Sequence, residues 1–135
     1  MPSDSTALDI DPAAADRLAE FYAFGERVLE AFIGGLSPAD EASPITLWPE
    51  HFDIATEAGP EKLGRRATYG ASPGDDAHDE PYVYVVPWQA QTAGGIWNAT
   101  GFAGAELGYA DLLAADDPES AVAAFFDVRR EALAD

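Results

Sequence analysis

The acidic segment "YGASPGDDAHDEPYVYV", residues 69–85, places four carboxylates and a histidine directly before a strand-like aromatic run. The other histidine stands upstream, in "WPEHFD". Side chains alternate along an extended chain, so we expect His51 and Asp53 to share one face of their segment, and His78 and Glu80 one face of theirs. Two such pairs converging on one ion would suit zinc, manganese or iron, with coordination positions left for water.

This arrangement predicts one alternative function, a divalent-metal-dependent hydrolase in which Asp75 or Asp76 acts as the general base. The spacing matches neither a helical HExxH motif nor an EF-hand loop. Pro73-Gly74 also favours a turn, which would interrupt the alternation where the second pair begins. Because charge runs usually are solvated faces, we favour a solvated turn and expect no cofactor, a divalent transition metal being the alternative.

Aromatic side chains alternate with valines in "YVYVVPW", residues 82–88, the clearest strand pattern in the chain. These rings lie on one face of the predicted strand, beside the glycine-rich stretch 89–104, and such a row of aromatics could wall an apolar ligand pocket. The alternative, which we favour, is that long helices pack on the same rings. The candidate ligand-binding residues are Trp48, Tyr82, Tyr84, Trp88 and Trp97.

The charge and composition of the chain limit the classes of partner that we expect it to bind. The chain has 25 acidic and 7 basic residues, a net charge of -18, so we expect it to bind neither nucleic acid nor an anionic membrane surface. It has no cysteine, which excludes disulfides and thiolate chemistry. The N-terminus lacks the basic start and apolar core of a signal peptide, and these features together predict a cytoplasmic, soluble protein.

Two helix patterns enclose the candidate residues. Asp11-Pro12 predicts a helix start and Gly34-Gly35 its end, and Asp117-Pro118 predicts the start of a final helix. The first helix carries an apolar stripe, which we expect to face the core. Its members are Leu18, Phe21, Tyr22, Val28, Leu29, Phe32 and Ile33.

Between these helices we predict extended segments at 45–56, 62–72 and 82–88, and a short helix at 105–115. Within the first segment, Phe52 and Ile54 should face the core. The order predicts an α+β fold, a small antiparallel sheet of three or more strands with the long N- and C-terminal helices packed on it. We assign residues 1–10 to a disordered leader and residues 11–135 to a single α+β domain.

Three stretches, "LWPEHFD", "YGASPGD" with "EPYVYV", and "YADLLAADDPESAVAAFF", together resemble an uncharacterised bacterial family known only as a domain of unknown function. The resemblance runs from Asp11 to Phe126 and is to the C-terminal half of the longer members. It implies no activity, cofactor or catalytic residue. Those members place a small polar residue at the position of His51 and keep the following Phe-Asp, which implies a structural role for Phe52 and Asp53.

The residues and the resemblance leave three functional hypotheses. The first, which we favour, is a non-catalytic module that binds a small ligand or a protein partner through residues 73–88. The second is the metal-dependent hydrolase. The third follows from the resemblance: a half-domain whose sheet, without the N-terminal half, would expose an apolar patch, and a homodimer would be the simplest way to cover that patch.

Overall fold

The chain folds in the order one long helix, five strands, one short helix and one long helix, across the residues that the structure describes. The computed structural model describes residues 12–48, 52–74, 78–89, 91, 94–99 and 102–134, with side chains from Asp16 onward. The helices are α1 (Pro12–Gly34), α2 (Tyr109–Ala114) and α3 (Pro118–Ala134). The strands are β1 (Thr46–Trp48), β2 (Asp53–Ala58), β3 (Ala67–Ser72), β4 (Tyr82–Pro87) and β5 (Ala105–Gly108).

The predicted α+β class is confirmed. Each strand is antiparallel to its neighbours and lies in chain order, β1-β2-β3-β4-β5, so the sheet is a meander with β1 and β5 at its edges. Helices α1 and α3 pack on one side of the sheet. The predicted leader, residues 1–10, lies outside the described residues.

Proline and polar caps set the helix starts, as the sequence predicts. Proline suits the first turn of α1 because its missing N–H has no intrahelical acceptor there. At the start of α3 the Asp117 carboxylate accepts from the backbone N–H of Ser120 at 3.3 Å and from its hydroxyl at 2.8 Å. Leu18 of the predicted stripe is 44% exposed, because it lines an open groove rather than the core.

The helix side of the sheet holds the core. Val83 and Val85 of β4 are fully buried there, next to Tyr69 of β3. The Phe126 ring of α3 meets Tyr69 edge-on, with centroids 5.6 Å apart. Large aromatic rings from a strand and a helix therefore join the two layers.

The opposite side of β4 carries the tyrosines, and we call it the tyrosine side (Trp48, Asp53, Gly70, Tyr82, Tyr84 and Glu106). Our expectation that the long helices pack on these rings is therefore wrong. The alternation within the strand is as predicted, but the helices contact the valines. The rings of Tyr82 and Tyr84 are instead covered from outside the sheet, where both contact Phe102.

Two predicted segments differ in detail. The predicted segment 45–56 is not one extended strand, since β1 and β2 pair antiparallel within it and the backbone N–H of Phe52 bonds back to the Trp48 carbonyl at 2.8 Å. Phe52 sits in this turn with φ 58° and is 62% exposed, so its predicted place in the core is wrong. Ile54 is buried as expected.

The other differences concern strand bounds. Strand β3 begins only at Ala67, because Glu61–Leu63 forms a 3₁₀ turn. The predicted helix 105–115 is wrong over its first four residues, which form β5 along β4. Helix α2 begins after them, at Tyr109.

Candidate functional site

A tyrosine ring in close contact with a glycine is the central feature of the tyrosine side. Tyr84 and Gly70 are direct cross-strand partners. A Cβ built on Gly70 would lie 2.9 Å from Cε2 of Tyr84 and closer still to its Cζ and hydroxyl oxygen, a distance that real side chains essentially never show. The missing side chain of Gly70 thus leaves the space in which the ring lies.

The Tyr84 hydroxyl donates a short hydrogen bond to the Asp53 carboxylate, two strands away. Burial, followed by this bond and by the charge of Asp53, raises the pKa of Tyr84 far above its ordinary value of 10.0. The second carboxylate oxygen, Oδ1, is buried and has no hydrogen-bond partner among the residues that the structure describes. Within that part of the chain, Asp53 therefore carries an unmatched acceptor at the start of β2.

A histidine–carboxylate pair lies at the other edge of the tyrosine side. Nε2 of His78 is 2.7 Å from Oε1 of Glu106, and both side chains are mostly buried. The His78 ring stacks on Tyr82 with centroids 3.9 Å apart. These contacts hold the segment around His78 against β4 and β5. This positioning role requires no ion.

Asn98 closes the outer edge of β5. Its side-chain amide donates to the Glu106 carbonyl at 3.2 Å, and its oxygen accepts from the Glu106 N–H at 3.0 Å. The amide thus pairs with the strand as a neighbouring peptide group would. This closure leaves β5 with one fewer residue open to strand addition.

The predicted metal ligands do not form one group among the residues that the structure describes. Asp53 bonds Tyr84, His78 bonds Glu106, and Glu80 is exposed. Across the described ranges no cluster of three or more histidine and carboxylate side chains could hold an ion. The remaining candidates, His51, Asp75 and Asp76, lie outside the described residues, and the metal hypothesis stays a prediction.

The five predicted ligand-binding aromatics are spread over the sheet. Tyr82 and Tyr84 are neighbours, with ring centroids 5.9 Å apart, but both are buried. Trp88 is 46% exposed and lies under the Arg66 guanidinium at 5.3 Å. Trp97 packs against the helix-side core, and Trp48 lies on the edge strand β1, 41% exposed.

An apolar groove on the helix side of the β1–β2 hairpin was missed in the sequence. Helix α1 forms one wall and the hairpin the other, and the groove encloses about 630 Å³. Leu47 at 52% exposure and Phe52 at 62% stand open to it. We call this the apolar groove (Leu18, Tyr22, Glu26, Leu47, Phe52, Ile54 and Pro73).

The sequence held one signal for this groove. Pro44 and Pro49 bracket "ITLW", and proline confines a strand to a short edge position. Apolar side chains on such a strand have a neighbour on only one flank, which favours exposure. Alternation predicts Phe52 in the core instead, because it carries no sign of the turn conformation at this position.

One acidic side chain, that of Glu26, belongs to the lining of the apolar groove. The Tyr22 hydroxyl donates to the Phe52 carbonyl, which fixes the turn against α1. Burial, with a smaller part from the Asp53 charge, raises the pKa of Tyr22.

A second cavity of about 440 Å³ lies between α1, α2 and the start of α3. Arg17, Arg27 and Glu20 are among its lining residues. Arg27 is already paired with Glu119 at 3.1 Å. The charges that line this cavity are therefore nearly balanced, so the cavity should attract a charged ligand less strongly than the apolar groove does.

Comparison of the chain with protein-family models, with curated proteins and with solved structures found no significant match. The resemblance of its motifs to a bacterial family of unknown function stays a prediction. None of the helices in the described ranges has the length and apolar character needed to cross a membrane.

Proposed function

We propose that this chain is a non-catalytic module that binds a basic, apolar segment of another protein in the apolar groove. The observation that carries the proposal is that Leu47 and Phe52 stand exposed in a groove on a chain of net charge -18. Contiguous exposed apolar surface marks a contact site more often than isolated apolar residues do. The volume of about 630 Å³ is within the usual range of binding pockets.

Charge decides which occupant is favoured. A second copy of the chain would bring another -18 against this surface, and the like charges would oppose association. The charged side chain in the lining, Glu26, is acidic, and Asp53 lies close by. A partner with lysine or arginine beside its apolar side chains gains attraction at the same place.

The expected affinity is low. Covering the exposed parts of Leu47 and Phe52 contributes about 1 to 2 kcal/mol each, since full burial of such side chains is worth about 1.5 to 3 kcal/mol. Association entropy opposes this gain. These two side chains alone therefore support only weak binding, since a dissociation constant of about 1 mM already needs about 4 kcal/mol and one of about 1 μM needs about 8 kcal/mol.

The test uses labelled peptides made of equal numbers of leucine and lysine, with a lysine–serine peptide of equal charge as the control, measured by fluorescence anisotropy. Phe52→Asn and Leu47→Ser should each lower the affinity for the leucine–lysine peptide by roughly tenfold. Asparagine tolerates the positive φ of position 52, so this variant removes the ring without straining the turn. Leu63→Ser is the matched control, because Leu63 is equally exposed at 62% but lies outside the groove.

Two results would overturn the proposal. One is equal affinity of the protein and all three variants for the leucine–lysine peptide, which would leave only non-specific attraction between charges. The other is a dimer of the free chain in light scattering that Leu47→Ser dissolves, since the groove would then hold a second copy.

A further inference from the structure

The two edges of the sheet are treated differently. At β5 the side chain of Asn98 occupies both backbone groups of Glu106. At β1 no described strand lies on the side away from β2, and all three residues, Thr46–Trp48, are exposed. The free edge borders the apolar groove, because Leu47 belongs to both.

We propose that the partner segment binds as an extended strand added to the free edge of β1. This inference rests on the proposed function and specifies how the same site recognises its partner. An added strand would lie about 4.8 Å from β1 and pair with its backbone. The backbone bonds would supply affinity that does not depend on the partner's side chains.

The two sides of β1 determine which side chains the added strand carries. Leu47 pairs with Ile54 and faces the helix side, where alternate side chains of an added strand would enter the apolar groove. Trp48 pairs with Asp53 on the tyrosine side. There the intervening side chains would meet an indole face and a carboxylate.

That second side favours a cation. A lysine or arginine over the Trp48 ring gains from the negative face of the indole. The carboxylate of Asp53, the cross-strand partner of Trp48, adds negative charge on the same side. The recognised segment is therefore a short strand in which apolar and basic residues alternate, rather than an amphipathic helix.

The test compares two labelled leucine–lysine peptides of identical composition. In one the two residues alternate, and in the other they follow helical spacing. The alternating peptide should bind at least about tenfold more tightly. Binding should also slow the hydrogen exchange of the Leu47 amide, because successive N–H groups of a strand point to opposite edges and those of Thr46 and Trp48 face β2.

Backbone methylation supplies the matched control. Alternate amide N–H groups of the added strand point toward β1 and away from it. Methylating every second amide nitrogen of the alternating peptide therefore removes the donors on one of these two edges. Only the peptide that loses the donors facing β1 should lose binding, and the other methylated peptide should keep it. Side-chain recognition alone would leave the two methylated peptides equal.

The outcomes separate this inference from the proposed function. If the helical isomer binds as tightly as the alternating one, and Phe52→Asn weakens both, the apolar groove is a partner site but strand addition is refuted. If neither isomer binds more tightly than the lysine–serine peptide, both proposals are refuted. Loss of binding in one of the two methylated peptides, with protection of the Leu47 amide, supports strand addition.

Discussion

Adding one methyl group at Gly70 should disrupt the tyrosine side. In Gly70→Ala the new Cβ would lie within 3.0 Å of the Tyr84 ring, closer than real side chains approach. The ring must therefore strain or move away from the carboxylate to which its hydroxyl donates. Gly70 itself has no positive φ that alanine would violate.

The magnitude follows from three contributions. Overpacking a filled site costs about 1 to 3 kcal/mol. Loss of a hydrogen bond to a charged group costs about 1.5 to 3 kcal/mol, but a ring that moves relieves part of the clash, so the two do not add in full. Alanine in a strand regains about 0.5 to 1 kcal/mol over glycine. We expect a net loss of about 2 to 3 kcal/mol in the free energy of unfolding.

A double-mutant cycle measured by urea denaturation isolates the contact. In a Tyr84→Val background, where the ring is absent, Gly70→Ala should be neutral or stabilise by up to about 1 kcal/mol. In Tyr84→Phe, which keeps the ring, it should still destabilise. The Phe background also keeps the experiment informative if the Val variant is too unstable to measure.

The reasoning would be refuted by a Gly70→Ala protein within about 0.5 kcal/mol of the original, the usual range for neutral surface changes. It would equally be refuted by the same loss in the Tyr84→Val background, because the cost would then come from the backbone rather than from the ring.

Three further predictions concern the same sheet. Burial raises the pKa of Tyr69 and of Tyr84 above the ordinary 10.0, so the folded state holds these protons more tightly than the unfolded state. The contribution of these two tyrosines to the free energy of unfolding should therefore be fully present below pH 10.0 and be lost as the pH rises above it. Tyrosinate absorbance at about pH 11 should be lower in folded than in urea-unfolded protein. Tyr84→Phe should cost about 1.5 to 3 kcal/mol in urea denaturation, since it removes the described donor to Asp53, whereas a loss below about 0.5 kcal/mol would contradict that bond. Asn98→Ala should speed hydrogen exchange at the Glu106 amide and cost about 1 kcal/mol, and unchanged exchange there would show that Asn98 does not close the β5 edge.

The long elements could be predicted because their signals are local. Proline starts α1 and glycine follows its end, and Asp117 caps α3 through Ser120. Alternation in β4 likewise separates tyrosines from valines. Each of these patterns depends on residues within one or two turns, so no tertiary information is needed.

The helix prediction for the first residues of 105–115 is wrong because the structure of this segment depends on tertiary pairing. "AELG" contains good helix formers, and the segment that follows is helical from Tyr109. Pairing with β4 overrides this preference, because an edge next to Tyr82–Val85 satisfies the backbone of β5. The side of β4 that the helices cover was equally invisible, since alternation assigns residues to two sides without saying which side is covered.

The candidate site depended most on a turn. His51 and Phe52 were placed by alternation, but the chain reverses between β1 and β2 and gives Phe52 a positive φ. Asparagine or glycine would have signalled that conformation, whereas phenylalanine does not. An exposed aromatic in a conformation that disfavours it costs stability, which is consistent with a residue kept for contact rather than for folding.

Asp53 connects the tyrosine side of the sheet with the proposed partner site on the other side. The hydrogen bond between Asp53 and Tyr84 holds the start of β2. The preceding residue, Phe52, is held against α1 because its carbonyl accepts a hydrogen bond from the Tyr22 hydroxyl. Displacing Tyr84 should therefore loosen the hairpin that presents Leu47 and Phe52. Gly70→Ala should then weaken binding of the alternating leucine–lysine peptide, although Gly70 does not line the apolar groove. Tyr84→Phe should weaken this binding to a similar extent. If both variants lose stability yet bind the peptide as tightly as the original protein, the hairpin holds its shape without Asp53, and the two sides of the sheet act independently.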